Sequence, residues 1–256
     1  MLQHKINKKY FTDSDFNDGL VCEKKLYLNK KRYKASPDNK IISLNKEKLM
    51  YENIEFNNEF HKLFPYGANT IKSNSFINED QDIKKAISKT KELLNKKVEI
   101  IYNAVFEHSN FIAHFDVLVK KNGDYSFYKL ATATKTNNAR HILNLLYKLY
   151  IIKSIGININ LNNIFIAYPN KDYKKGTGLE LKLLFKIDRL IDIEISGSGG
   201  VMIGDTAFDE IRDYLNNKKS NLLIKFIQKK LQHFHKNLNS NSSPKIQIGS
   251  HCTMPF

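Results

Sequence analysis

Apolar positions follow helical spacing early in the chain, gather into short β-rich runs in its middle, and return to helical spacing further on. Asp13-Ser14-Asp15 offers N-cap candidates to a first helix, FNDGLVCEKKLYLNKK, whose Phe16, Leu20, Leu26 and Leu28 form a loose apolar face. Lys34–Asn39, with Ser36-Pro37-Asp38, breaks it. A second helix fits Leu44–Leu63 through Leu49, Phe56, Phe60 and Leu63, and Phe64-Pro65-Tyr66-Gly67 ends it. Asn78–Lys96 predicts a third, with Ile83, Ile87 and Leu94 inward and its charges outward.

Val98–Phe106, Phe111–Lys120 and Tyr125–Thr134 then predict three strands with hairpin-length connections, an antiparallel meander. The last two flank Lys121-Asn122-Gly123-Asp124, and Asn-Gly is a hairpin signal because both residues accept positive φ. Asn138–Ser154 returns to helical periodicity through Ile142, Leu145, Leu146, Leu149 and Ile152, with Gly156 as its stop. Asn163–Tyr168 predicts a buried strand, the following Pro-Asn-Lys-Asp a turn, and Leu179–Ile187 another strand. Ser196–Gly200 has the composition of a flexible loop. Asp209–Asn216 and Ser220–Leu238 predict helices, followed by a linker, Asn239–Lys245, and a short tail.

This order of helices, meander, helix and strand predicts an α/β sandwich with a mixed central sheet. It is read as one domain over residues 1–238, with a helical part to residue 97, a core sheet and helix over 98–187 and C-terminal helices over 208–238. Residues 239–256 form the linker and tail.

Composition narrows the class of protein. The 256 residues, 41% of them hydrophobic, can bury a proper core. The start has no apolar stretch of signal-peptide type and no run is long enough to span a bilayer, so cytoplasmic residence without a membrane partner is expected. A net charge of +15 invites phosphate as a partner, DNA or RNA. Against that, all but four of the 41 basic residues are lysine, and arginine is the better bidentate phosphate and guanine ligand. The chain is also rich in Asn and Ile, which share A/T-rich codons with Lys, so codon bias alone could raise the charge. Lys171, Lys174, Lys175 and Lys182 form one candidate contact surface. Lys24, Lys25, Lys30, Lys31 and Arg32 form another.

Several motifs recur in a familiar order: Leu20-x-Cys22-x-Lys24-x-Leu26-x-Leu28, the Leu63–Gly67 element, Lys91–Leu94 before the meander, and the tail run Ile248–Phe256. In these motifs and in its element order the chain resembles the restriction-endonuclease-like PD-(D/E)XK nuclease superfamily, and within it the bacterial family called domain of unknown function 2779. The resemblance implies a restriction-endonuclease-like sandwich in which an Asp and a Glu hold Mg²⁺ and a lysine activates or positions the attacking water.

Onto those positions fall Asp116 for the Asp, Lys129 for the Glu and Ala131 for the lysine. An ammonium would stand where a dication must bind, and a methyl where a cationic donor is needed. A helix histidine of the family falls on Ile54 and a helix glutamine on Lys148. The resemblance therefore implies a degenerate, non-cleaving nuclease-like protein with a vestigial Asp116 and no metal cofactor. In that setting Asp116 is expected to pair with a lysine, Lys129 being the nearest candidate. An active Mg²⁺-dependent enzyme would need a relocated site, either through Glu180-Leu181-Lys182 or through His61, His108 or His114. A protein-interaction or toxin-like module on the same scaffold is a third reading.

Cys22 and Cys252 match two positions where relatives carry cysteines suited to an iron–sulfur cluster. The usual cluster needs four thiolates, and the chain ends at Phe256 before the remaining pair, so the resemblance implies a truncated tail. Two thiolates with His251 are too few, and unliganded thiols are expected.

Overall fold

The computed structural model describes residues 10–31, 55–71, 80–131, 139–158, 160–173, 181–192 and 220–239. The expected loop Ser196–Gly200, helix Asp209–Asn216, linker and tail lie outside them, as does most of the second predicted helix.

Six strands form one mixed sheet in sequence order. A short β1 (Ala68–Asn69) runs parallel to β2 (Ile100–His108); β2, β3 (Phe111–Lys121) and β4 (Asp124–Leu130) form the antiparallel meander. β5 (Ile164–Pro169) lies parallel to β4, and β6 (Phe185–Arg189) closes the sheet antiparallel to β5. Seven helices accompany it among the described residues: α1 (Asp13–Val21), α2 (Glu23–Lys31), α3 (55–61), α4 (Asp80–Asn95), α5 (Ala139–Ser154), α6 (Leu181–Leu184) and α7 (Ser220–Asn239). The fold is α/β.

The β3–β4 turn forms as expected, with Asn122 at φ 53° and Gly123 at φ 87°. Gly156, at φ 82°, ends α5 with Gly156 N–H donating to Lys153 O and Ile157 N–H to Ile152 O, the two bonds of a Schellman cap. Because α5 forms the crossover between the parallel strands β4 and β5 and packs on β2 and β3, it is buried on nearly every side. α1 and α7 pack over it, through Phe16, Phe226, Ile227, Leu231 and Phe234. A separate cluster joins Phe60 of α3 to Val117, Leu130, Ala167 and Phe185.

Four expectations are corrected. The first helix is two, because Cys22 leaves helical geometry (φ −160°, ψ 113°) and caps α1 through its N–H to Asp18 O. The N-cap is Thr12, which forms a capping box with Asp15, so Asp13 lies inside the first turn. Of the strand predicted over Leu179–Ile187, the described residues from 181 onward form the short α6 followed by β6, since the apolar pattern of LKLLF suits either period. The third strand of the meander also stops at Leu130, short of Thr134.

Candidate functional site

The ladder between β2 and β3 is interrupted at one point. Tyr102 pairs with Val117 and Ala104 with Phe115, while Asn103 and Asp116 stand between them outside the paired register. Asn103 adopts φ 56°, a left-handed conformation that asparagine tolerates better than most residues. The same core contains Ala113, Phe115 and Leu118 on β3 and Ile101, Ala104 and Phe106 on β2. A spacing of three where a strand requires two shows that side-chain parity switches at Asn103 on one strand and Asp116 on the other. The Asn103 amide secures the kink, donating to Asn69 Oδ1 at 3.0 Å and lying 3.3 Å from His114 Nε2.

Asp116, 3% exposed, meets donors from β4. Its Oδ2 accepts from Lys129 Nζ at 2.9 Å and from the Leu130 N–H at 2.7 Å. The ion pair expected with Lys129 is therefore present. A second pair adjoins it: Lys148 of α5, fully buried, donates to Asp13 Oδ2 of α1 at 2.9 Å and to the His114 carbonyl at 2.7 Å. Its ammonium also lies 5.7 Å from the centre of the Phe115 ring. Two carboxylates and two ammonium groups from four elements thus form a network with no net charge.

The titration shifts follow from this arrangement. Burial pushes the Asp116 carboxyl up, but the Lys129 ammonium, the other cationic groups and the Leu130 N–H outweigh it and hold it down at about 2. Burial likewise opposes ionisation of Asp13, and Lys148 and Lys129 reverse the effect, so it lies well below the usual carboxylate range. The lysines differ. Burial lowers both, yet Asp116 and Asp13 leave Lys129 raised, whereas Lys148, wholly buried and facing a second ammonium, stays lowered. Burial brings His114 down to about 4.

Ala131 is buried, and only its backbone bonds outward, its N–H donating to Ala167 O at 2.8 Å. His61, on α3, stacks on Tyr102 at 4.1 Å and 10°. Burial lowers its pKa and outweighs the Asp116 charge, which raises it, and its buried Nε2 has no hydrogen-bond partner among the described residues. His108 is elsewhere, edge-on to Tyr150 at 6.2 Å. Ile54, Glu180, Lys174, Lys175, Arg32, His251 and Cys252 lie outside the described residues, as does the Lys31 side chain. Lys171 and Lys182 are exposed. Lys30 is not part of a free basic surface: it is buried against Asp15 at 2.8 Å and lies over Phe11. Lys25 is paired with Asp18 at 2.8 Å. Cys22 is a free thiol.

Mg²⁺ requires several oxygen ligands in near-octahedral array. The donor set around Asp116 does not fit it, because an ammonium and an amide N–H already hold Asp116 Oδ2 and the ammonium would repel a cation there. No cluster of three His, Cys, Asp or Glu side chains suited to a metal occurs among the described residues. Asp13 and its bond to Lys148 are the part of the site that sequence reasoning missed; Asp13 read as a cap, and only its partner, Lys148 amid apolar neighbours, signalled a buried charge. No helix among the described residues is long and apolar enough to cross a membrane. No protein-family model matches the chain, and no curated protein matches it.

Proposed function

We propose that this chain is a non-cleaving, nuclease-like protein of the PD-(D/E)XK type that binds nucleic acid through its basic surface. One observation carries the reading: Lys129 Nζ and the Leu130 N–H both occupy Asp116 Oδ2, at 2.9 and 2.7 Å. A carboxylate so engaged is a structural ion-pair member, and the buried Ala131 brings no general base or cationic donor to it. The meander, crossover helix and parallel strand around it support a nuclease-like scaffold, and the +15 charge supports a polyanionic partner.

The test is a cleavage assay on single- and double-stranded DNA and RNA with Mg²⁺ or Mn²⁺. No cleavage is expected from the full chain with either ion. Cleavage that needs the ion and disappears in Asp116→Ala would overturn the reading.

A further inference from the structure

Several lysines of this surface are answered by carboxylates. Along α4 and just past its end, Lys89 and Lys96 hold Glu92 at 3.0 and 2.8 Å. Lys25 pairs with Asp18, and Lys186 with Asp172. The helix α7 differs: its twenty residues, SNLLIKFIQKKLQHFHKNLN, include no acid. Its apolar side, Phe226, Ile227, Leu231 and Phe234, is buried in the main core. The opposite side carries Lys225, Gln228, Lys229, Gln232, His235 and Lys236, all exposed.

At about 100° and 1.5 Å per residue, Lys225, Lys229 and Lys236 fall within about 40° of one another along a row roughly 16 Å long. Every side chain on that arc offers a hydrogen-bond donor, and none offers a carboxylate. Glu23 does reach α7 from α2, but it is bound on the flank by His233 at 2.8 Å and Asn237 at 2.7 Å. None of the three lysines pairs with an acid among the described residues. A solvated helix face normally intersperses both signs, as α4 does.

Resting on the nucleic-acid reading above, we propose that this row on α7 is the surface that contacts the sugar–phosphate backbone. A row of three unanswered ammonium groups about 16 Å long spans more than one phosphate of a strand, so the three can contact the backbone together. Backbone contact of this kind positions the protein without reading sequence. Affinity is therefore insensitive to base composition and falls steeply with salt.

The test measures binding of the full chain to a labelled DNA duplex and to the corresponding single strand by fluorescence anisotropy over a range of salt concentrations. The variant Lys225→Gln/Lys229→Gln/Lys236→Gln is compared with Lys84→Gln/Lys91→Gln/Lys121→Gln, which removes equal charge from other exposed positions. The α7 variant is expected to shallow the slope of log affinity against log salt by about three, and the control by less than one. Equal changes in the two variants, or no change on α7, would overturn the assignment of the surface while leaving the nucleic-acid reading intact. Failure of the unaltered chain to bind either probe would overturn both.

Discussion

At Asp116 two donors from the same strand converge on one carboxylate oxygen, and the consequences differ for the two lysines of the network. Folding favours the charged form of Lys129, whose pKa is raised, and disfavours that of Lys148, whose pKa is lowered. Lys129→Met is expected to destabilise by about 3 kcal/mol because it strands a buried carboxylate, whereas Lys148→Met costs roughly 1 kcal/mol or less. Asp13, the partner of Lys148, keeps 30% side-chain exposure and can turn to water. Urea unfolding of both variants measures the difference, and equal costs would contradict it. Acid acts on the same residues. Between pH 6.5 and about 4 the unfolded chain gains a proton that His114 in the folded chain refuses, so stability falls as pH drops through that window. Asp116 adds a second loss as pH falls from 3.8 towards 2, where its folded carboxylate is finally protonated. Melting temperatures recorded from pH 7 to pH 4 should therefore decline in the parent and decline less in His114→Gln. The Asp116–Lys129 pair was legible in the sequence for a simple reason. The Asn122-Gly123 turn sets Lys121 opposite Asp124 and Val117 opposite Tyr128, and one step further along that register sets Asp116 opposite Lys129. Lys30 misled because its neighbours are charged, and nothing local announces that Asp15, already in a capping box, also receives its ammonium.

Elements whose ends carry strong local chemistry were legible to within two or three residues: α4, α5, α7 and strands β2, β3 and β5 all form close to where periodicity placed them. The misses are elements where local preference is divided. Residues 181–185 suit a helical turn or a strand, and tertiary packing of Phe185 against Phe56 and Phe60 accompanies the change from one to the other. The break at Cys22 likewise lacks a proline or glycine at the point where the chain turns. Helix ends also yield a prediction. α4 closes in a Schellman arrangement, with Lys97 N–H donating to Leu94 O and Val98 N–H to Leu93 O, but the left-handed position holds Lys97 at φ 57°. Glycine adopts that conformation without the Cβ penalty, though it also gains freedom in the unfolded chain. Lys97→Gly is thus expected to stabilise by roughly 0.5 kcal/mol in thermal or urea unfolding, and destabilisation would show that the side chain contributes a contact. Gly67 behaves oppositely. A Cβ there would overlap Tyr102 Cζ, in a ring whose hydroxyl accepts from the Gly67 N–H at 3.1 Å, so Gly67→Ala should cost about 1–3 kcal/mol.

For the whole molecule, the antiparallel meander and the mixed character of the sheet were legible in the sequence, whereas the two-residue β1 and the closing of α1 over α5 were not, because no local pattern marks Ala68–Asn69 as a strand or links Asp13 with Lys148. That closure completes a neutral interior beneath a strongly positive exterior, and the two respond differently to salt. Surface charges repel one another across distances that water transmits, so a chain with a net charge of +15 loses stability to self-repulsion at low ionic strength. Raising salt from roughly 0.01 M to 0.15 M shortens the screening length from about 30 Å to about 8 Å and relieves that repulsion. The pairs at 2.9 Å are far closer than either length and each has one partner at most 4% exposed, so they are little screened. The melting temperature should therefore rise over this range, and the gap in stability between the parent and Lys129→Met should stay constant. A melting temperature that fell with salt would mean that the exposed pairs on α4 and β6 outweigh the repulsion. A gap that narrowed would mean that water reaches Asp116, and the network would then be a solvated surface pair.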